Sequence, residues 1–242
     1  MRIFRPILFN TEMVRAILEG RKTKTRRLPK FQPEYGEEIR MRKNKEGKLA
    51  AWFYCENPML NPAGPSPWGG PEQEPPCQPG DVLWVRETWN GVKTGNPKIG
   101  YHTAYWYKAD DKSENPDDRW RPSIHMPKEA ARIFLRVTDV RVERIHKSFF
   151  RYGTIVHNIS AEGIDIGDQC RECIETYGNP CCIDGESECG VLDDIRDDFA
   201  RLWDSTIKPV ELDRYGWQQN PWVFVIKFER VDKPAEWEEY VK

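Results

Sequence analysis

The run Gly20-Arg21-Lys22-Thr23-Lys24-Thr25-Arg26-Arg27 places five cationic side chains and two hydroxyls within eight residues. Cations so spaced can neutralise phosphates, while Thr23 and Thr25 can hydrogen-bond phosphate or base edges. Folded into a pocket, the same run supports a second chemistry. Desolvation and the like charges of Arg21, Lys24 and Arg26 favour the neutral amine of Lys22, and a neutral lysine can take the proton of the Thr25 hydroxyl. The plain alternative is a solvated basic loop. An apolar strand and helix directly upstream should anchor the run, which favours a site over a tail.

Two further groups carry chemistry. Glu87 lies within Val82-Leu83-Trp84-Val85-Arg86-Glu87-Thr88-Trp89, a mostly apolar segment. It can accept from a cytosine-like amino edge in a pocket wall or pair with an arginine of the basic run. In Trp120-Arg121-Pro122-Ser123-Ile124-His125-Met126-Pro127, Trp120 and Arg121 can stack on and clamp a nucleotide, with His125 as proton carrier. The same segment also reads as a packed loop with Trp120 and Ile124 in the core. Trp84, Trp89, Tyr105, Trp106, Trp217 and Trp222 can offer stacking platforms, but aromatics that alternate along strands have the pattern of core residues.

Five of the seven cysteines, Cys170, Cys173, Cys181, Cys182 and Cys189, crowd into twenty residues. The C-x2-C pair with Cys189 and one of Cys181 or Cys182 makes four soft ligands for one structural zinc, closed to water. Free or redox-active thiols are the competing reading. No organic cofactor is implied.

The elements that must position these groups are short. Apolar Ile7-Leu8-Phe9 reads as a strand, and Asn10 or Thr11 can cap a helix over Thr11 to Glu19 with Gly20 as its stop. Strands follow at Val82–Trp89, Tyr101–Lys108, Arg132–Val142 and Trp222–Val231, with a helix over Leu192–Trp203. Residues 28–79 are dense in proline and glycine and read as an irregular excursion, with one strand at Leu49–Tyr54. Few helices and several strands with long connections make an α+β fold. A small closed or partly closed barrel would remove the edges of such short strands.

Composition excludes some classes. With 37 basic and 39 acidic residues the net charge is −2, so a basic site must be local. A mean hydropathy of −0.76 and no long apolar run argue against a membrane span, and MRIFRPILFN lacks a signal peptide's apolar region. The expectation is a soluble, cytoplasmic protein in a reducing compartment, with no membrane partner.

In order along the chain, PILFNTEMVRAILEGRKTKTRR, GDVLWVRETW, WRPSIHMP, LRVTDVRVERI, SAEGI, FARLWDSTI and GWQQNPWVFVIKFERV resemble the ASCH-domain family of PUA-like β-barrels, in particular its phage and prophage members. The resemblance implies a small barrel forming a single domain over residues 1–242, with insertions at about 28–79, 91–122 and 164–191. It implies RNA, single-stranded nucleic acid or a modified nucleoside as partner. It also implies an N4-acetylcytidine amidohydrolase activity, in which the family's lysine falls on Lys22, its threonine on Thr25 and its glutamate on Glu162. Arg21, Lys24, Arg26, Arg27, Glu87 and Arg121 are then the candidate substrate-binding residues. The family's small enzymes lack the Pro-rich, WRPSIHMP and Cys-rich segments, and activity transfers less readily than fold.

Overall fold

The computed structural model describes residues 3–33, 38–55, 66–67, 72–96, 100–111, 119–149, 155–164 and 191–241. In chain order its strands are β1 (Phe4–Leu8), β2 (Lys24–Arg27), β3 (Glu38–Lys43), β4 (Leu49–Cys55), β5 (Ser66–Pro67), β6 (Val82–Arg86), β7 (Trp89–Asn96), β8 (Gly100–Tyr107), β9 (Phe134–Arg144) and β10 (Trp222–Val231). Its described helices are α1 (Thr11–Leu18), α2 (Ile155–Ser160), α3 (Val191–Ser205), α4 (Leu212–Tyr215) and α5 (Trp237–Val241). The fold is α+β and dominated by strands.

A five-stranded sheet in the order β1-β6-β9-β10-β2 forms the body. Its β1–β6 pair is parallel and the other pairs are antiparallel. Strand β6 is covered on both faces, so Val82, Leu83, Trp84 and Val85 are all buried. Leu83 and Val85 pack with Ile133, Leu135, Val140 and Val14 of α1 in one core. Val82 and Trp84 pack with Phe4, Phe134 and Trp237 of α5 in the other. Such two-sided burial explains the near-continuous apolar run.

Simple alternation along β9 puts Val140 opposite Leu135 and Val137, yet all three share one core. The reason is a bulge. Lys227 of β10 faces Asp139 while Phe228 faces Val137, which leaves Thr138 as the extra residue and flips the alternation beyond it.

Two expectations are corrected. The basic run is not all loop, because Lys24 to Arg27 form β2 and pair with Phe224 to Lys227 of β10. The 28–79 region also holds more than the one strand expected at Leu49–Tyr54, because β3 pairs with β4 in an antiparallel hairpin around a turn at Asn44 to Gly47. The sheet curls so that its two edges approach: Arg27 on β2 donates to the Leu8 carbonyl on β1 at 3.3 Å. Among the described residues no backbone ladder joins β1 to β2, so the sheet is curled without closing into a barrel. Among these residues no helix is long and apolar enough to cross a membrane.

Candidate functional site

The site is assembled where α1 stops. Asn10 Oδ1 accepts from the Met13 N–H at 2.9 Å and caps the helix. Gly20, at φ +79°, takes the left-handed conformation that ends it. The chain then turns back, and the Lys22 N–H donates to Ala16 O at 3.0 Å. The turn after α2 meets it, with Ala161 O accepting from both the Thr23 and Lys24 N–H groups at 2.9 and 3.1 Å. Gly163 completes that turn at φ +92°, and a Cβ there would stand 2.9 Å from Ala16 Cβ and 3.3 Å from the Lys22 side chain. Only glycine lets the two segments approach so closely.

That approach brings Lys22 to Glu162. Lys22 Nζ donates to the Glu162 carbonyl at 2.6 Å and to its carboxylate at 3.3 Å. Arg26 pairs with the other carboxylate oxygen of Glu162, and with Glu143 at 3.4 Å. Thr25 Oγ1 accepts from Arg27 Nη1 at 2.8 Å, and the same nitrogen reaches Arg26 O at 2.9 Å. Lys22, Thr25 and Glu162 line one cavity of about 420 Å³, together with Arg26 and Arg27. Phe9, Phe199 and Trp203 supply its aromatic walls. Lys22 and Thr25 make no hydrogen bond to each other among the described residues.

The electrostatics follow from burial. Lys22 is 5 % exposed, and desolvation lowers its pKa to about 8; Arg27 and Arg26 act in the same direction, and Glu162 opposes them. Lys24 is also lowered to about 8, by burial first and then by Arg26. Burial lowers the Arg27 guanidinium as well. Among the described residues Lys22 and Arg26 pair with Glu162, and Arg26 also with Glu143, whereas Lys24 and Arg27 donate to the neutral oxygens of Asn158 and Thr25. An excess of positive charge is thus held around an apolar-walled cavity, and the arrangement can hold an anionic or electron-rich ligand.

No family model, no curated protein and no solved structure matches this chain.

The other sequence candidates are dispersed. Arg21 pairs with Glu19 and donates to Gly163 O at 3.0 Å, behind the turn it helps to fix. Lys24 donates to Asn158 Oδ1 of α2 at 2.6 Å. Neither lines the cavity. Glu87 lies elsewhere, buried and held by both arms of Arg132 at 2.9 Å; its partner is an arginine from outside the basic run. Burial raises its pKa, and Arg132 opposes the rise. Arg121 exchanges backbone hydrogen bonds with Trp89 and stacks over its ring at 5.1 Å. Ile124, read as core, is exposed, and Met126 is buried instead. Cys170, Cys173, Cys181, Cys182 and Cys189 lie outside the described residues.

Sequence reading missed Glu143, Asn158 and the aromatic walls. Glu143 sits on a strand that also carries Arg136, Asp139, Arg141 and Arg144, so nothing local marks its burial or its pairing with Arg26. Nothing local marks Phe9 or Phe199, because each reads as ordinary core.

Proposed function

We propose that this cavity holds a nucleobase and that Lys22, Thr25 and Glu162 hydrolyse an N-acyl bond on a cytidine-like nucleoside. The observation that carries this reading is the convergence of the three side chains on one cavity from segments about 140 residues apart. Phe9, Phe199 and Trp203 suit a flat base. The curled, open sheet, with Arg27 of one edge strand reaching Leu8 of the other, supports a partly closed PUA-like ASCH barrel, and RNA or single-stranded nucleic acid is the natural source of the base.

In this mechanism neutral Lys22 takes the proton of Thr25 Oγ as the oxygen attacks the acyl carbonyl. Arg27, already hydrogen-bonded to Thr25 Oγ1, is placed to stabilise the negative charge that develops. Lys22 then returns the proton to the departing amine, and water releases the acyl group from the Thr25 ester. Both carboxylate oxygens of Glu162 accept from cations, so its role is to orient Lys22 and not to donate a proton.

A non-catalytic binding module is the second reading. It is favoured by the hydrogen bonds that Lys22 gives to Glu162 and not to Thr25, together with the excess positive charge. Incubation with N4-acetylcytidine and other acylated nucleosides, beside Lys22→Ala, separates the two. Deacylation that disappears in the variant supports the hydrolase. Absence of turnover, with a salt-sensitive affinity for RNA or nucleotides, supports the binding module. The zinc expected on the cysteine run is a separate proposal, and metal analysis of the purified chain tests it against free or redox-active thiols.

A further inference from the structure

A second cavity adjoins the first. Its volume is about 610 Å³, and it opens in the gap between β1 and β2 with Ile7, Leu83, Phe224 and Ile226 as its floor. Leu8, Arg27 and Leu28 line both cavities, so Arg27 stands at their junction. Both volumes lie in the ~300–1,000 Å³ range of small-molecule sites, and together they offer more room than one nucleoside fills.

The junction is cationic. Arg27 donates only to neutral oxygens, those of Thr25, Arg26 and Leu8, and among the described residues it makes no ion pair. Lys30, on the wall of the second cavity, makes none either. The other charges there are largely settled: Arg5 is paired with Asp81 and Glu74 with Lys48, which leaves Glu72 on the rim. A partly buried guanidinium bonded only to neutral oxygens is a place for an anion.

The second cavity also carries a built platform. Phe31 is 48 % exposed, yet its backbone is pinned in both directions by the Gln73 amide, at 3.0 Å to its N–H and 3.1 Å to its carbonyl. Gln73 is itself buried and paired to Ala51 of β4. An exposed ring on a fixed backbone suits base stacking, because little ordering remains to be done on binding.

Resting on the nucleobase reading of the first cavity, we infer that the ligand spans both cavities as a nucleotide or longer strand: one base in the first, a phosphate at Arg27 and Lys30, and the neighbouring base on Phe31. The preferred substrate is then a modified cytidine within a chain and not the free nucleoside.

The test titrates the intact chain by calorimetry with cytidine and N4-acetylcytidine, their 3′- and 5′-monophosphates, and dinucleotides joining cytidine to adenosine in either polarity. The expected result is a dinucleotide at least tenfold tighter than the nucleoside in one polarity, part of the gain appearing already with the monophosphate. Phe31→Ala and Arg27→Gln should each bring the ratio of nucleoside to dinucleotide Kd toward one. A ratio is read because a variant that merely fails to fold loses both affinities together. Nucleoside binding with no gain from phosphate or second base, or a gain unmoved by both variants, overturns the inference and leaves the first-cavity reading standing. If no nucleoside, nucleotide or dinucleotide binds, both fall.

Discussion

Lys22 and Glu162 are joined twice, because the Lys22 ammonium donates to the Glu162 carbonyl at 2.6 Å and to its carboxylate at 3.3 Å. The pairing fixes the lysine in the cavity wall without restoring the ordinary basicity of its amine. Burial outweighs the carboxylate, and the pKa falls to about 8 from 10.5.

Under the proposed mechanism, deacylation with neutral Lys22 as base rises with pH through about 8. Glu162 is the main group holding that value up, and Arg26 and Arg27 are the cations holding it down. In Glu162→Gln the midpoint of the pH–rate profile moves to lower pH, and in Arg26→Gln it moves to higher pH. Both profiles come from initial rates on N4-acetylcytidine between pH 6 and about 10. A midpoint near the ordinary lysine value in the wild type, or shifts in the opposite directions, would remove Lys22 from the role of base.

The same lysines make stability depend on pH. Lys22 and Lys24 both sit at about 8 folded against 10.5 as the ordinary value. Between these values the unfolded chain binds more protons, so stability rises with pH. Cys77 has the opposite sign above its ordinary 9.0, because burial pushes its thiol up to about 12. The clean window is thus pH 8 to 9, where urea unfolding should show a gain on the order of 1–2 kcal/mol from the two lysines together. Lys22→Met flattens roughly half of that gain. A wild-type protein that loses stability across this window contradicts the burial of the two amines.

That Lys22 and Thr25 line one cavity was legible because the basic run is local in sequence. What surrounds them was not. Glu162 comes from a turn about 140 residues away, and only the resemblance pointed to it. Glu143 could not be assigned to Arg26, because strand alternation says which face a residue takes and not which strand lies beside it. The strand over Trp222–Val231 is legible with its observed limits, since the bulge lies on its partner and the alternation through Ile226 and Phe228 runs across it. The β3 strand was missed because Arg40, Arg42 and Lys43 gave it the texture of a charged loop; pairing with Leu49–Tyr54 stabilises it from outside. The lining of the second cavity assembles from five segments, and apart from Arg27 of the basic run none carries a signal of its own.

Gly163 sets how near the α2 turn comes to Lys22. Alanine in left-handed backbone costs about 1–2 kcal/mol wherever it is placed. Gly47, at φ +79° in the β3–β4 turn, has nothing within 4 Å of its absent Cβ, whereas at Gly163 that atom meets Ala16 at 2.9 Å. Crowding adds about 1–3 kcal/mol to the backbone term. Gly163→Ala is thus expected to be the more destabilising of the two by that amount in denaturant unfolding, and to reduce deacylation in its folded fraction. Gly47→Ala should leave deacylation unchanged. Equal effects of the two substitutions would mean that the α2 turn does not press on Lys22.

Glu87 and Arg132 give the contrasting case of a buried pair away from the cavity. Glu87 is 1 % exposed and bonded at both oxygens by Arg132, which also reaches Asp110 and stacks on Tyr107 at 3.8 Å. Arg132→Met strands a buried carboxylate and should cost about 3–5 kcal/mol. Replacing both partners, Glu87→Leu with Arg132→Met, removes the stranded charge and should recover most of that loss, because the pair's attraction is offset by the desolvation of its two charges. Measured at a temperature where the double variant is folded, its deacylation rate and pH midpoint match the wild type. A change in either would connect Glu87 to the cavity after all and restore it to the candidate site.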